Sequence, residues 1–179
     1  SQKAADLIDS GTCGEQATWE LYQDGTLYIK GSGAMSDYSI SSDANDTSFC
    51  SAPWYASHRS DIQTVIIEDG ITRIGEHAFT YCSAMHSVSI PDSVTEIGAE
   101  AFAGCSSLES VTIPDGVFYI GNRAFGNCSS LSSVSIPESV TSIRNGAFSG
   151  CALTSVTLSR DCKVHESAFD EGVTINYYD

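Results

Sequence analysis

The sequence predicts an α/β repeat solenoid of about five 23-residue coils, opened by an N-terminal β-hairpin cap. Three observations carry that expectation. The motif Ala-Phe-x-x-Cys returns at a fixed 23-residue interval, at Ala78-Phe79/Cys82, Ala101-Phe102/Cys105, Ala124-Phe125/Cys128 and Ala147-Phe148/Cys151, and a fifth copy, Ala168-Phe169, has Gly172 in the cysteine's place. A strict period of this length belongs to stacked units, because each can bury its apolar side only against its neighbours. The stretch ahead of each motif alternates, with Leu108, Val111 and Ile113 facing in and Ser110 and Thr112 facing out, the pattern of a short half-buried strand. Pro91, Pro114 and Pro137 then stop the strand, since proline cannot donate to a ladder.

In chain order, residues 1–59 do not repeat and form the cap. Trp19-Glu20-Leu21-Tyr22 and Leu27-Tyr28-Ile29-Lys30 flank Gln23-Asp24-Gly25-Thr26, which places a hairpin at 17–30. A three-residue loop with Gly25 in the left-handed region sets Leu21 opposite Leu27 and Trp19 opposite Ile29. All four apolar residues then share one face, so this register is preferred to that of a two-residue loop. Residues 36–52, rich in Ser, Asp and Asn, read as a polar surface loop, and Pro53-Trp54-Tyr55 opens a short helix near 53–59.

Residues 60–172 hold the five repeats: 62–84, 85–107, 108–130, 131–152, which is one residue short, and 153–172. Each coil contributes one strand to a parallel sheet, after which Val94/Ile97, Val117/Ile120 and Val140/Ile143 return the chain to the core. Gly75, Gly98 and Gly121 follow, where positive φ or close backbone approach is expected; Arg144 at the fourth copy shows that positive φ is not strictly required. Ala-Phe is placed on a short helical or 3₁₀ turn, with Phe79, Phe102, Phe125, Phe148 and Phe169 filling the space between layers. Cys82, Cys105, Cys128 and Cys151 read as small buried side chains at one repeat position. Residues 173–179 alternate as a last strand or cap.

With 8 Lys+Arg against 23 Asp+Glu, the net charge of −15 disfavours nucleic acid and anionic membranes as partners. No apolar run approaches the ~18 residues of a membrane span. Of the seven cysteines, four belong to the repeat and Cys162 falls where other coils carry Ile71, Val94, Val117 and Val140. Only Cys13 and Cys50 lie outside the array, where they could bridge across the N-terminal region. The sequence holds no His-x-x-x-His, Cys-x-x-Cys, Gly-x-Ser-x-Gly or phosphate-binding glycine loop, so neither metal, cofactor nor catalytic centre is expected.

The unit Leu-x-x-Val-x-Ile-Pro-x-x-Val-x-x-Ile-Gly-x-x-Ala-Phe-x-x-Cys, clearest at Leu108 to Ser130, resembles the BspA-like (Treponema pallidum-type) class of leucine-rich repeats. The segments Gly11-Thr12-Cys13-Gly14, Trp19-Glu20-Leu21, Asp24-Gly25-Thr26-Leu27, Gly31-Ser32-Gly33-Ala34-Met35 and Pro53-Trp54-Tyr55 resemble the region preceding such repeats in surface proteins of gut Firmicutes. The resemblance implies a right-handed coil with a concave parallel sheet. It also implies secretion or cell-wall attachment, and adhesion to a host or microbial surface protein or glycan.

On the concave face, Ser87, Ser110 and Ser133 are expected in one column and Ser89, Thr112 and Ser135 in the next. Both form a flat hydroxyl surface that could dock a protein or glycan or simply keep the ladder solvated. Phe118 and Tyr119 stand out, because the other coils carry Thr72-Arg73, Thr95-Glu96 and Thr141-Ser142 there, and two outward aromatics would mark a contact surface. Asp69, Asp92, Asp115 and Glu138 form a single file that reads as a solvated edge, since hard cations need converging oxygens. Asp43-x-Asn45-Asp46 offers oxygen ligands but lacks the glycine and terminal glutamate of a calcium loop. The function expected is a non-catalytic binding module at the cell surface or secreted; the alternative is a structural spacer that displays other domains.

Overall fold

In a computed structural model, residues 5–42 and 48–179 are described. The chain forms a β-solenoid of about five coils in which each coil carries two short strands, one more than the alternation ahead of the prolines predicts. Strands β1 (Leu7–Thr12), β2 (Gly14–Tyr22) and β3 (Thr26–Met35) are antiparallel neighbours. The short pair β4 (Ile40–Ser42) and β5 (Ser48–Cys50) and the helix α1 (Tyr55–His58) follow. The coils then supply a first ladder of β6 (Thr64–Ile67), β8 (Ser87–Ser89), β10 (Ser110–Thr112), β12 (Ser133–Ser135), β14 (Ser155–Leu158) and β16 (Thr174–Tyr177). A second contains β7 (Ile71–Ile74), β9 (Glu96–Ile97), β11 (Tyr119–Ile120), β13 (Ser142–Ile143) and β15 (Lys163–Val164). Where neighbouring coils pair, the strands are parallel with equivalent residues in register, such as Val111 with Val134 and Ile120 with Ile143.

The N-terminal unit differs from a two-stranded hairpin at 17–30. Its strands are longer and β1 adds a third. Trp19 pairs with Ile29 and Leu21 with Leu27, with Gly25 at φ 84°, so the four apolar side chains are buried together. The first half of β3 pairs with β6 and its second half with β7, which seats it against both strands of the first coil. Arg73 ties the units further, bonding Asp37 in the preceding segment and Glu96 of the second coil. β4 and β5 run through the stretch read as a loop, because Ile40 and Cys50 pack on the core at its two ends. The Asp43, Asn45 and Asp46 candidate lies outside the described residues. Cys13 and Cys50 are both buried free thiols, not a bridge. Residues 174–177 pair with β14 in register and so continue the first ladder by one more strand.

The α/β label does not describe this molecule: α1, four residues long, is its one helix among the described residues. The Ala-Phe segments are turns, and the backbone shows why. His77, Glu100, Arg123 and Gly146, just before Ala-Phe, all have φ between 51° and 64°. Tyr81, Gly104, Asn127 and Gly150, just before the cysteine, have φ between 55° and 74°. A left-handed residue at each end of a three-residue stretch forbids helix propagation. Instead, alternate N–H groups reach the next coil: Phe79 N donates to Ala101 O at 2.7 Å, Phe102 N to Ala124 O at 2.7 Å and Phe125 N to Ala147 O at 2.8 Å. Gly75, Gly98 and Gly121 do not have positive φ and are selected by close approach. A Cβ on Gly75 would lie 1.8 Å from Ser36 O, and one on Gly121 would lie 2.7 Å from Ala99 N.

The core is a column of stacked rings that begins at Trp54, outside the repeats. Trp54, Phe79, Phe102, Phe125, Phe148 and Phe169 follow one another with centroids 5.1–5.5 Å apart. Trp54 Nε1 donates to Ala78 O at 2.8 Å, so its polar edge is satisfied inside the core.

Across this regular column the coils alternate in pairs. In the first ladder β6 pairs with β8, β10 with β12 and β14 with β16, but the steps from β8 to β10 and from β12 to β14 are not ladder-paired. The same alternation shows in the turn after the strand. Ser93 Oγ accepts from Gly70 N and donates to Ile71 O, and Ser139 Oγ does the same for Gly116 N and Val117 O. Val65, Val111 and Val156 are buried, whereas Val88, Val134 and Ile175 are half-buried. The structural unit of this ladder is therefore two coils.

Truncating Phe125 to Ala should cost about 3–5 kcal/mol in urea unfolding, through lost burial plus an uncollapsed cavity, while the half-buried terminal Phe169 should cost clearly less. Ser139→Ala should cost about 1 kcal/mol by orphaning Gly116 N and Val117 O. Ser133→Ala on the exposed strand face should stay within about 0.5 kcal/mol of the parent.

Candidate functional site

The outward faces of β8 and β10, with the turns after β8, β10 and β12, enclose an open groove of about 1040 Å³. Ser87, Ser89, Ser110, Thr112 and Ser135 line it, as do Asp92, Asp115 and Glu138 from the turns. Ser133 is exposed on the same face but does not line the groove. The alternation that buries Val111 turns its neighbours outward, and the prolines then swing the acidic residues to the side. Among the described residues, the hydroxyls of Ser87, Ser89, Ser110, Thr112 and Ser135 have no hydrogen-bond partner. Tyr178 closes the C-terminal end of the groove: its Oη donates to Ile136 O at 2.7 Å, reaching back across the fifth coil.

Phe118 and Tyr119 lie elsewhere. Tyr119 begins β11 in the second ladder, between Glu96 and Ser142, and is half-buried. Phe118 is 43% exposed, and its carbonyl accepts from Thr141 N and Thr141 Oγ1. The two kinds of candidate are thus on different ladders and do not form one surface. Asp92, Asp115 and Glu138 of the acidic file are exposed, as a solvated edge requires, and also border the groove. Their position depends on where the turns fold, which spacing alone does not disclose.

The repeat core has a polar function as well as a packing one. Cys105 Sγ donates to Phe79 O at 3.2 Å, Cys128 Sγ to Phe102 O at 3.1 Å and Cys151 Sγ to Phe125 O at 3.2 Å. Each thiol thereby adds a second bond to a carbonyl of the preceding coil that already accepts the cysteine N–H of its own coil. Burial pushes the thiols of Cys13, Cys82 and Cys151 up to about 12 and that of Cys105 well above its ordinary value. Such groups remain protonated and unreactive at neutral pH. In the last coil Ser167 Oγ meets His165 Nδ1 at 2.8 Å, but that hydroxyl also donates to Asn145 Oδ1 and accepts from Gly146 N, the bonding of a turn. Among the described residues no three His, Cys, Asp or Glu side chains gather as a metal site, and no helix is long and apolar enough to cross a membrane.

Residues 53–176 match the BspA type leucine rich repeat region in six copies, more than half of the chain. The chain belongs to the BspA-type leucine-rich repeat family. No curated protein matches this member of the family by sequence. Among solved structures it is similar to a leucine-rich repeat protein from Eubacterium ventriosum (24% identity, TM-score 0.65), covering 96% of this chain and 45% of that one. It is similar to the T. pallidum leucine rich repeat protein (23% identity, TM-score 0.57), covering 93% and 85% of the two chains. A leucine rich cell surface protein from Faecalibacterium prausnitzii (24% identity, TM-score 0.53) is covered over 56% of its length by 99% of this chain. The chain thus spans less than half of the E. ventriosum protein.

Two measurements check the thiol chemistry. Iodoacetamide at pH 7.5 should modify the half-exposed Cys162 of the native chain well before Cys82, Cys105 or Cys128, and equal rates would contradict the buried column. Unfolded thiols ionise from about pH 9, whereas Cys82 and Cys151 in the folded chain do so near 12, so raising the pH across that window favours the unfolded chain. The melting temperature should be flat between about pH 7 and 8 and fall between about 9 and 12, with a shallower fall in Cys82→Ala.

Proposed function

We propose that this chain is a non-catalytic binding module whose contact surface is the groove over the second to fourth coils. The observation that carries the reading is the set of outward hydroxyls without protein partners lining a concave 1040 Å³ space. The buried thiols of Cys105 and Cys128 are paired with carbonyls inside the coils, whereas this row of hydroxyls is exposed and unpaired and so open to a ligand. Membership of a leucine-rich repeat family supports an interaction role, and the likeness to a cell surface protein of F. prausnitzii supports display at the cell surface or secretion. The partner on this reading is a host or microbial surface molecule. The N-terminal strands act as a cap: β3 pairs with both strands of the first coil and Trp54 covers the face of Phe79 that would otherwise be open.

A spacer that displays other domains is the second reading. It is favoured by the unbroken ring column from Trp54 to Phe169, which makes the coils one stiff body.

Binding of the fluorescent chain to intact epithelial and bacterial cells separates the two. Ser110→Arg with Thr112→Arg should reduce cell binding at least tenfold while leaving the melting temperature within about 2 °C, since both side chains are exposed. Phe118→Ser with Tyr119→Ser should change binding less than twofold. A parent chain that binds no cell, or groove variants that bind as well as the parent, would support the spacer instead.

A further inference from the structure

We propose that the groove takes a cationic polypeptide segment in extended conformation, lying along the solenoid axis across β8, β10 and β12. This rests on the reading of the groove as the contact surface and names its partner. The site is the unpartnered sheet face, and charge complementarity selects the occupant. Asp92, Asp115 and Glu138 border the groove, and among the described residues none of the three has an ion-pair or hydrogen-bond partner. The carboxylates of Glu20, Asp37 and Glu96 elsewhere on the chain are engaged by Lys30 or Arg73. Neither Lys nor Arg lines the groove, and its sole imidazole is that of His86. A basic segment entering here therefore meets three uncompensated charges without displacing an internal partner. A neutral or acidic segment leaves them desolvated and unpaired.

The dimensions agree. Successive coils are 5.1–5.2 Å apart at Phe102, Phe125 and Phe148, so Asp92 and Glu138 are about 10 Å apart along the axis. An extended segment rises about 3.3 Å per residue and places every second side chain on one face, so about four or five residues with Lys or Arg at alternate positions cover the row. The intervening hydroxyls of Ser89, Ser110 and Thr112 can donate to and accept from its main chain. A glycan fits less well. The ring in the groove is Tyr178, whose hydroxyl is committed to Ile136 O, and the groove offers no second aromatic platform.

The test is fluorescence anisotropy of the full 179-residue chain with a labelled decapeptide alternating Lys and Thr, at 50 and 300 mM NaCl. Because the whole protein is acidic, a charge-matched control is essential. The groove variant carries Asp92→Asn, Asp115→Asn and Glu138→Gln; the control carries Glu15→Gln, Glu166→Gln and Glu171→Gln, exposed carboxylates away from the groove. The groove variant should weaken binding at least tenfold at 50 mM NaCl and the control less than threefold, with both melting like the parent. Equal weakening in the two variants, or no binding of the peptide by the parent at 50 mM NaCl, overturns the proposal. Binding of neutral oligosaccharides such as maltoheptaose, blocked by Ser110→Arg with Thr112→Arg while the peptide does not bind, overturns the cationic partner but leaves the groove as the contact surface. Unchanged cell binding by that arginine variant, by contrast, removes the groove reading itself.

Discussion

Each coil passes alternate backbone N–H groups of its Ala-Phe segment to the coil that follows, and the rest of the molecule is arranged around that transfer. A helix would have consumed the same donors within one coil. Sending Phe79, Phe102, Phe125 and Phe148 N–H outward along the axis holds the coils at the 5.1–5.5 Å separation of the rings. At that distance the residues beside the axis must be small or flat. Alanine precedes each phenylalanine, rings stack face to face, and a glycine occupies positions such as Gly121 where a Cβ would strike the neighbouring backbone.

The left-handed residues on either side of each Ala-Phe step are the conformational cost of this arrangement. Tyr81, Asn127 and Arg123 accept positive φ and lay their side chains against Gly104, Gly150 and Gly146 of the next coil, where a Cβ would collide with them. Bulky and glycine residues thus alternate at the position before the cysteine, in step with the alternation of glycine and serine after the first strand. Two surfaces of the solenoid share a two-coil period that the aromatic column and the second ladder lack. The column needs the same ring in every coil, whereas surface turns only need each bulky side chain to find a gap above it.

Much of the candidate site can be read from the strand pattern. The period-two alternation places Ser87, Ser89, Ser110, Thr112, Ser133 and Ser135 outward, and the structure has all of them exposed. Phe118 and Tyr119 are equally conspicuous in the repeat alignment, yet they lie at the second ladder and do not line the groove. Asp92, Asp115 and Glu138 carry no such signal, because an acidic residue after a proline is what a solvated turn also looks like. The angle at which that turn leaves the sheet, together with Tyr178 folding back on Ile136, converts an edge into the border of a groove.

The amino-acid pattern by itself determined the coil length, the number of coils to within one, and the inward ring and cysteine at each repeat. These follow from periodicity, since a side chain must face the interior once per coil wherever apolar residues recur. Only the tertiary structure decided where the backbone hydrogen bonds of the Ala-Phe segment go, and hence that the segment is a turn and not a helix. It alone showed the second ladder, the pairing of coils, the cysteine thiols bonded to carbonyls of the previous coil, and the groove. Each of these depends on partners about one or two coils away, and local propensity carries no information about which neighbour a donor will meet.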